Sequence, residues 1–434
     1  MNILVFLYQY KRILIWILCI ATATSFFIFL HRNPITFSYY GEIWADRSGY
    51  YVYLPFVFNY KAKANLMPQG IDIQTGQGFE FKNNRMITKY SCGTALMQLP
   101  FYGIAELMYY IKPKGTKGFS LYHHKMVAFA GLVYVVIGFA FLYSFLRYYY
   151  SEKIVFWVLI SLFWGTNILY YAEREGGMSH IYSFCLFSMY MYSLKKTDFF
   201  RNKLTLLESL GIGCLVGMMI LIRPTNLIFL VFGLFLDAPS EIKNRIKAIF
   251  TQKYWIVMIL AAILIHLPQM IYWKYAYNNF IQYSYGNEGF TNWNKPPIIK
   301  FLFAPNNGLF VYNPLALVML MGGVLMIYHK IANGYWVMLL FTAVTYIFAS
   351  WWVYHFGCSY GSRNFVEYYA GLSLGLGYAY TRISTLRSYQ KYSIAFLIFV
   401  LVALNFKLFR SFDGCFYYNG DDWNWQEWIK ILLV

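Results

Sequence analysis

The sequence predicts an all-α polytopic membrane protein, and two properties of the 434-residue chain lead to this fold class. Hydrophobic residues make up 59% of the chain and charged residues 12%, whereas soluble domains carry about 25% charged residues. Several apolar runs approach the ~20 residues that a helix needs to cross a bilayer. The net charge of +18 therefore indicates basic loops that meet anionic lipid headgroups or phosphorylated substrates, and no nucleic-acid binding is expected.

The apolar runs predict about eleven transmembrane helices in a single domain that covers residues 1–434. Their approximate spans are 13–30, 122–146, 154–172, 178–194, 204–222, 225–236, 254–272, 309–328, 335–353, 368–381 and 392–406. The run 13–30 continues past an Ala-x-Ala-like site, which favours a retained signal anchor over a removed signal peptide. The run 94–111 contains Pro100 and Glu106, which favour an interfacial helix over a crossing one.

The short loops predict how the helices are oriented. Basic residues concentrate in the loops 195–203, 243–253 and 382–391, so these loops and the N-terminus are expected to be cytoplasmic. The opposite, extracytoplasmic face then carries a long first loop with interfacial helices, 31–121, and a C-terminal tail, 407–434. Most of the acidic residues fall on the same face.

Asp46 is the candidate catalytic residue. It follows the first predicted helix, with Glu42 one helical turn before it. A carboxylate at the membrane surface reaches both a lipid-borne donor and an aqueous acceptor, which predicts a general base. The alternative is an exposed acid paired with Arg47 or Lys61. The tyrosines within 50–53 are expected to form an aromatic interfacial belt.

Glu173 and Glu175 form a second candidate site at the outer end of a helix. Two carboxylates two residues apart on a turn can jointly hold a hard divalent cation such as Mg²⁺ or Mn²⁺. The alternative is a solvated loop in which Arg174 neutralises one acid. His180 begins the next helix and is either a ligand or an ordinary interfacial histidine.

Three basic residues, Lys89, Arg223 and Arg363, are candidates for binding phosphate. Arg223 lies at a corner between two apolar spans, where an arginine is costly unless it is paired or lines a wet cavity. Arg363 lies in a glycine-containing segment, 355–364, in which the backbone can turn tightly, and its fixed fork of donors suits phosphate. The alternative for each residue is snorkelling to lipid headgroups.

The six cysteines show no C-x-x-C spacing, so neither a metal knuckle nor a redox motif is predicted. Those within apolar runs are expected to pack as small hydrophobes: Cys19, Cys185 and Cys214. A disulfide between two of the loop cysteines remains open: Cys92, Cys358 and Cys415.

Four segments resemble motifs of the GT-C superfamily of polyprenyl-phosphate-sugar glycosyltransferases, above all its protein O-mannosyltransferase and lipid A aminoarabinose transferase branch. They are WADRSGYY around Asp46, TKYSCGTALMQLPFYGI at 88–104, APNNGLFVYNPLAL at 304–317 and WWVYHFGCSYGSRNF at 351–365. The resemblance implies a GT-C fold with its active site on the extracytoplasmic face of a bacterial inner (plasma) membrane.

The resemblance also implies roles for individual residues. Asp46 becomes the base and Lys89 a contact of the donor phosphate, joined by Arg363 and, on a looser pattern, Arg223. Further substrate contacts are expected at Glu42, His180 and Tyr360. Glu173 and Glu175 resemble a metal-holding acidic pair of oligosaccharyltransferases in the superfamily. Four residues depart from the family patterns. Ser91 and Cys92 replace paired prolines, and Arg47 replaces a second acid. Val353 stands where oligosaccharyltransferases have an aspartate after two tryptophans, which argues against transfer of an oligosaccharide to asparagine.

These observations predict a glycosyltransferase that moves a sugar from polyprenyl phosphate to a hydroxyl of a lipid, glycan or protein acceptor, by a single inverting displacement. A lipid-linked glycan polymerase or ligase is one alternative, but its main catalytic loop is expected late in the chain, whereas the long polar loop here comes first. A lipid or solute transporter is the other. It needs ionisable groups near mid-membrane, and the apolar runs contain almost none.

Overall fold

The computed structural model describes residues 36–412 and 421–433, and these are mostly helical, as predicted. The helices are α1 Asp46–Tyr51, α2 Tyr53–Phe58, α3 Ile71–Gln74, α4 Gly93–Ile111, α5 Leu121–Leu146, α6 Glu152–Gly165, α7 Ile168–Glu173, α8 Ser179–Lys196, α9 Leu206–Ile222, α10 Leu227–Gly233, α11 Ile242–Phe250, α12 Trp255–Tyr277, α13 Ile298–Phe303, α14 Leu309–Tyr312, α15 Leu315–Tyr328, α16 Ala332–Ala349, α17 Tyr369–Ser384, α18 Ser388–Ser411 and α19 Trp425–Leu433. Short 3₁₀ segments lie at Ala64–Leu66, Pro224–Asn226, Pro239–Glu241 and Arg363–Phe365. Two strands, β1 Glu80–Lys82 and β2 Arg85–Ile87, pair antiparallel.

Within the described residues, four helices are long and apolar enough to cross a membrane: α5, α12, α16 and α18. This number corrects the prediction of about eleven, whose first span, 13–30, lies outside the described residues. The helix that replaces the run 94–111, α4, is not among the four. The long apolar helices support a membrane-associated protein.

Part of the overcount arises because two predicted runs are interrupted and each forms two shorter helices. The run 154–172 divides at Thr166, whose backbone is extended (φ −134°, ψ 173°), into α6 and α7. The run 309–328 divides before Pro314, since a proline disfavours the helical conformation in the residue that precedes it. Hydropathy measures burial from water and does not distinguish a buried loop from a helix.

The four long helices differ in how much of their apolar surface the protein itself covers. Within the most apolar segment of each helix, 50% of α5 and 56% of α16 are buried, but only 22% of α12 and 17% of α18. A soluble monomer rarely exposes apolar patches of this extent. Lipid is the solvent that suits α12 and α18.

The first loop folds into a compact unit on the end of α12. Asn83 and Asn84 both have positive φ (50° and 58°), as the tight turn of a two-residue β-hairpin requires. The backbone N–H of Thr88 then donates to the hydroxyl of Tyr272 on α12, at 2.7 Å. The hairpin therefore fixes where the following segment, 88–92, begins.

The tyrosines of α1 and α2 pack inside this unit, so the predicted interfacial belt is wrong. Tyr50, Tyr51 and Tyr53 are 4%, 1% and 7% exposed. Tyr51 donates to the carbonyl of Gly118 and Tyr53 to the carbonyl of Tyr90, both at 2.6 Å. A buried tyrosine satisfies its hydroxyl within the protein, and these two do so.

Helix α8 connects two polar clusters. His180 lies in its first turn and Lys195 in its last, about 22 Å apart along the axis at 1.5 Å per residue. At the Lys195 end, Asp237 accepts hydrogen bonds from Lys195 (2.7 Å), Tyr149 (2.8 Å) and Asn333 (2.7 Å). The His180 end holds the candidate site.

Candidate functional site

Asp46 and Arg363 form the centre of the site. Arg363 Nη2 lies 3.1 Å from Asp46 Oδ2, and the two side chains are 18% and 35% exposed. Arg363 begins a 3₁₀ turn just after Gly361, which has a φ of 63°, a conformation that favours glycine. The predicted alternative pairing of Asp46 with Arg47 is not observed, because Arg47 donates to the carbonyls of residues 39 and 174.

Tyr90 orients the other oxygen of Asp46. Its hydroxyl donates to Asp46 Oδ1 at 2.5 Å, and its ring lies 4.4 Å from that of Tyr50. A Cβ on Gly49 would lie 2.3 Å from the Tyr90 ring, so only glycine lets this ring lie against α1. Both carboxylate oxygens of Asp46 thus have a fixed donor.

Lys89 lies next to Tyr90 and directs its ammonium group to Glu288. Lys89 Nζ is 2.6 and 2.8 Å from the two Glu288 oxygens. It also lies 5.5 Å from the ring centre of Tyr90 and 5.6 Å from that of Tyr285, within the range of a cation–π interaction. Lys89 is close enough to Asp46 for its charge to act on that carboxylate.

The loop that carries Lys89 is bound to the end of α9. Ser91 Oγ donates to the carbonyl of Ile222 at 3.0 Å, and the Cys92 N–H donates to Gln269 Oε1 at 2.7 Å. A proline at position 91 would lack the hydroxyl donor, and a proline at position 92 would lack the N–H donor. The two bonds hold the segment just after Lys89 against the end of α9, next to Arg223, and against α12.

Arg223 belongs to a more buried cluster. Its guanidinium donates to Glu367 Oε1 and to Asn364 Oδ1, both at 2.8 Å. His180 Nδ1 lies 2.9 Å from Glu367 Oε2 and 3.1 Å from Arg223 Nη1. Glu367 is fully buried, and a buried carboxylate is stable only when it is paired and hydrogen-bonded.

Tyr50 and Tyr285 lie between the two clusters. Burial raises the pKa of the Tyr50 phenol, while the charges of Arg223 and Arg363 oppose that rise. The same two arginines act on Tyr285, whose pKa burial raises well above its ordinary value. Arg223 and Arg363 therefore share one electrostatic environment, lined by neutral phenols.

The surroundings of Asp46 favour its charged form. Burial on its own would raise the pKa of this carboxyl, but Arg363, the Tyr90 hydrogen bond and Lys89 together lower it below its ordinary value. Burial raises the pKa of the Tyr90 phenol, and Asp46 raises it further. At neutral pH the site thus presents a carboxylate that faces a protonated phenol and two cations.

Tyr360 and Glu42, expected to contact substrate, have other surroundings. Tyr360 is fully buried; its hydroxyl donates to the carbonyl of Asn405 at 2.9 Å, and its ring stacks on Tyr170. These contacts assign Tyr360 to the core. Glu42 is 1% exposed and lies in the electrostatic range of Arg47, while His180 lies in the Arg223 cluster.

Glu173 and Glu175 are both buried, 7% exposed each, so the alternative of a solvated loop is wrong. Arg47 Nη1 lies 3.6 Å from Glu175 Oε1, and a guanidinium there opposes a second cation at the same oxygen. In the described part of the chain, no group of three or more histidine, cysteine or acidic side chains is arranged to hold a metal ion. The acidic pair therefore does not fit a metal.

Three residues of the site were not identified from the sequence: Tyr90, Glu288 and Glu367. Tyr90 directly follows Lys89, and Glu367 comes one helical turn after Arg363, so proximity to a basic candidate was a usable indication for both. Glu288 lies between Gly286 and Gly289, far from any motif. Glu288 belongs to the site through its contact with Lys89, which lies 199 positions earlier in the sequence.

Cys358 lies in the same loop as Arg363 and is disulfide-bonded. Cys92, Cys185 and Cys214 are free. Cys185 is buried in α8, as predicted for a small packed hydrophobe, whereas Cys214 in α9 is half-buried. Cys19 and Cys415 lie outside the described residues.

The fold and site together define a class of protein: a helical, membrane-associated protein with a carboxylate, Asp46, held beside two cations and next to a buried arginine–glutamate cluster. Comparison with known proteins adds no family to this description, since no family model, curated protein or solved structure matches the chain.

Proposed function

We propose that this protein is a membrane glycosyltransferase that moves a sugar from a polyprenyl-phosphate donor to an acceptor hydroxyl, with Asp46 as the general base. One observation carries the proposal. Asp46 is held by a donor on each oxygen, from Tyr90 and Arg363, and it lies within the electrostatic range of Lys89. Transfer of a sugar from a lipid phosphate requires a base and phosphate-binding cations close together.

The reaction is a single displacement at the anomeric carbon. Asp46 takes the proton of the acceptor hydroxyl, and the acceptor oxygen forms a bond to the anomeric carbon as the bond from that carbon to the phosphate oxygen breaks. The electron pair leaves with the phosphate. Because attack and departure occur on opposite faces of the sugar, the configuration inverts. Asp46 is ionised at neutral pH, since its surroundings lower its pKa, and so it can accept this proton.

The cations act on the departing phosphate, which gains charge as its bond to the sugar breaks. Pre-placed cations stabilise that state more than the ground state. Lys89 and Arg363 are the nearer pair, since both act on Asp46. Arg223 contributes from the more buried cluster. Loss of one such group typically lowers the rate by about 10²–10³-fold.

The extracytoplasmic placement of the site belongs to the proposal and has two supports. Cys358, a few residues before Arg363, is disulfide-bonded, and disulfides persist in oxidising compartments. Lys195 lies in the last turn of α8, at the opposite end from His180, and the basic residues that continue into the following loop favour the cytoplasmic side. We therefore place the site on the outer face of a bacterial inner membrane, with the N-terminus cytoplasmic.

Membership of the GT-C superfamily is part of the same proposal and rests on the four motif segments. Asp46, Lys89 and Arg363 each stand within one of them. The acceptor, which is a lipid, a glycan or a protein, and the sugar itself are not assigned.

The direct test is turnover of donor by the full chain reconstituted in liposomes. We expect the protein to consume a polyprenyl-phosphate sugar in the presence of acceptor and to release polyprenyl phosphate. The Asp46→Asn variant should lower this rate by about 10²-fold or more, because the amide cannot accept the proton. Asp72→Asn, the same change at an acid in α3 of the same loop, should leave the rate unchanged.

Other results would redirect the assignment. Full activity of Asp46→Asn removes the base from the mechanism. Elongation of a lipid-linked glycan without release of polyprenyl phosphate from a monosaccharide donor indicates a polymerase or ligase. Movement of lipid or solute across the liposome without donor turnover indicates a transporter.

A further inference from the structure

Each of the three candidate cations is already bonded to a carboxylate of the protein. The pairs are Lys89–Glu288 at 2.6 Å, Arg223–Glu367 at 2.8 Å and Arg363–Asp46 at 3.1 Å. A phosphate that binds to these cations must share or replace at least one of the three carboxylates. Which carboxylate yields depends on how firmly each is held.

Burial and additional hydrogen bonds separate the three pairs. Glu367 is fully buried, and its partner Arg223 is 16% exposed, so removal of this carboxylate would leave a buried charge unpaired. Asp46 is held by Tyr90 as well as by Arg363. Lys89 and Glu288 are 34% and 31% exposed, and ion pairs that face water are weak because solvent and salt screen them. The Lys89–Glu288 pair is therefore the easiest to exchange.

Glu288 can release Lys89 by rotation of its own side chain. The described segment 278–297, between α12 and α13, contains no helix or strand. It is anchored on both sides of Glu288: Ser284 Oγ donates to the carbonyl of Lys89 at 2.6 Å, and the N–H of Trp352 donates to the carbonyl of Gly289 at 2.9 Å. Residues 292 and 293 add further bonds to α16 and to the two residues that follow it. The exchange therefore needs only the side chain of Glu288, which is 31% exposed, to turn away from Lys89.

We propose that Glu288 is a specificity-determining residue, which holds Lys89 while the site is empty and is exchanged for the phosphate of the incoming donor. The inference rests on the proposed function, since that function supplies the phosphate. A prenyl chain with an uncharged head group cannot replace the carboxylate. A phosphate replaces it with more charge and more acceptor oxygens. Glu288 thereby makes an anionic head group a condition of binding at Lys89.

The experiment measures binding of a short-chain prenyl monophosphate to the detergent-solubilised full chain, with the corresponding prenol as the uncharged probe. We expect Glu288→Gln to bind the monophosphate about threefold to fivefold more tightly, because an exposed competing ion pair is lost. Glu288→Asp keeps the charge and should bind as the wild type does. Glu80→Gln, the same change at an exposed acid in β1, should also leave binding unchanged.

A second variant separates this effect from a general change in charge. Lys89→Gln should bind the monophosphate at least tenfold more weakly, and adding Glu288→Gln to it should give no gain, because the two residues act as a pair. Thermal unfolding of each variant identifies any that are misfolded.

Two results overturn the inference and leave the proposed function in place: equal or weaker binding by Glu288→Gln while Lys89→Gln weakens binding, or the same gain from Glu288→Gln with Lys89 absent. A different result rejects the proposed function together with the inference. That result is a wild-type protein that binds the monophosphate no better than the prenol.

Discussion

Arg363 Nη2 lies 3.1 Å from Asp46 Oδ2, although 317 positions separate the two residues in the sequence. The contact joins the first loop to the loop that follows α16. It supplies Asp46 with a positive partner where burial alone would favour the neutral acid. The ionised state of the candidate base therefore depends on a distant part of the chain.

Replacement of Arg363 by glutamine should move the acid limb of the pH–rate profile to higher pH. Without the guanidinium, burial raises the pKa of Asp46, so the base is protonated over a wider pH range. The pH dependence of kcat/KM for donor turnover measures this shift.

The same contact affects stability. In the wild type, the lowered pKa of Asp46 stabilises the fold above the carboxyl's unfolded pKa, and this contribution is lost as the pH falls through the folded pKa. Arg363→Gln should thus lose less stability on acidification. An unchanged acid limb would contradict the pairing, and Arg382→Gln, in the last turn of α17, is the control.

Gly93→Ala should weaken both the fold and the site. An added Cβ would lie 2.6 Å from the backbone nitrogen of Ile222, so the start of α4 must move away from α9. We expect a loss of about 1–3 kcal/mol and weaker binding of a prenyl monophosphate, because Lys89 moves away from Arg223. Thermal unfolding and binding titration measure the two effects. Gly103→Ala on the same helix meets nothing within 4 Å and should be neutral or slightly stabilising.

Asp237→Ala should destabilise the protein without altering donor binding. Three side chains lose their shared acceptor at the end of α8 that is remote from the site. The expected loss is about 1–3 kcal/mol. Thermal unfolding tests the stability, and titration with prenyl monophosphate tests the binding. A large loss of affinity in a folded variant would show that the two ends of α8 are coupled.

Tyr360→Phe should retain donor turnover, because Tyr360 is a core residue. The change removes the hydrogen bond to Asn405 and should lower stability by about 0.5–1.5 kcal/mol. Tyr90→Phe is the contrasting variant: it removes the hydrogen bond to Asp46, so it should reduce turnover and raise the pKa of Asp46. A loss of turnover in Tyr360→Phe without loss of stability would instead indicate that Tyr360 contacts the substrate, as the sequence analysis predicts.

Cys358 should react with a membrane-impermeant maleimide only after treatment with an impermeant reductant, and from the outer face of intact cells. The expectation follows from its disulfide and from the proposed orientation. Because reduction frees both thiols of the disulfide, mass spectrometry of the labelled peptides identifies the one that contains Cys358. Reaction from the cytoplasmic face alone would reverse the orientation and place the candidate site inside.

The prediction of helices succeeded where a run of apolar residues is also a continuous helix. The run 122–146 corresponds closely to α5, Leu121–Leu146. The prediction failed for 309–328, where Asn313, which is not helical, and Pro314 interrupt the run. Composition over a window shows how apolar a segment is, whereas the hydrogen bonds that end a helix depend on single residues.

For the site, residue chemistry was enough to select Asp46, Lys89, Arg223 and Arg363, which the structure places near one another. Residue chemistry did not select the acids that pair with Lys89 and Arg223. Glu288 and Glu367 look like ordinary acids in the sequence, because nothing local distinguishes a carboxylate that faces solvent from one that faces a cation.

The sequence by itself determined a helical, lipid-solvated protein with an acid and three basic residues in polar loops, because hydropathy and side-chain chemistry are local properties. Tertiary structure alone decided that Asp46 pairs with Arg363, that Lys89 pairs with Glu288 and that Tyr360 is buried in the core. Charge pairing falls off with distance through space. The paired side chains come within bonding distance only after the hairpin packs on α12 and the Lys89 loop is bound to the end of α9.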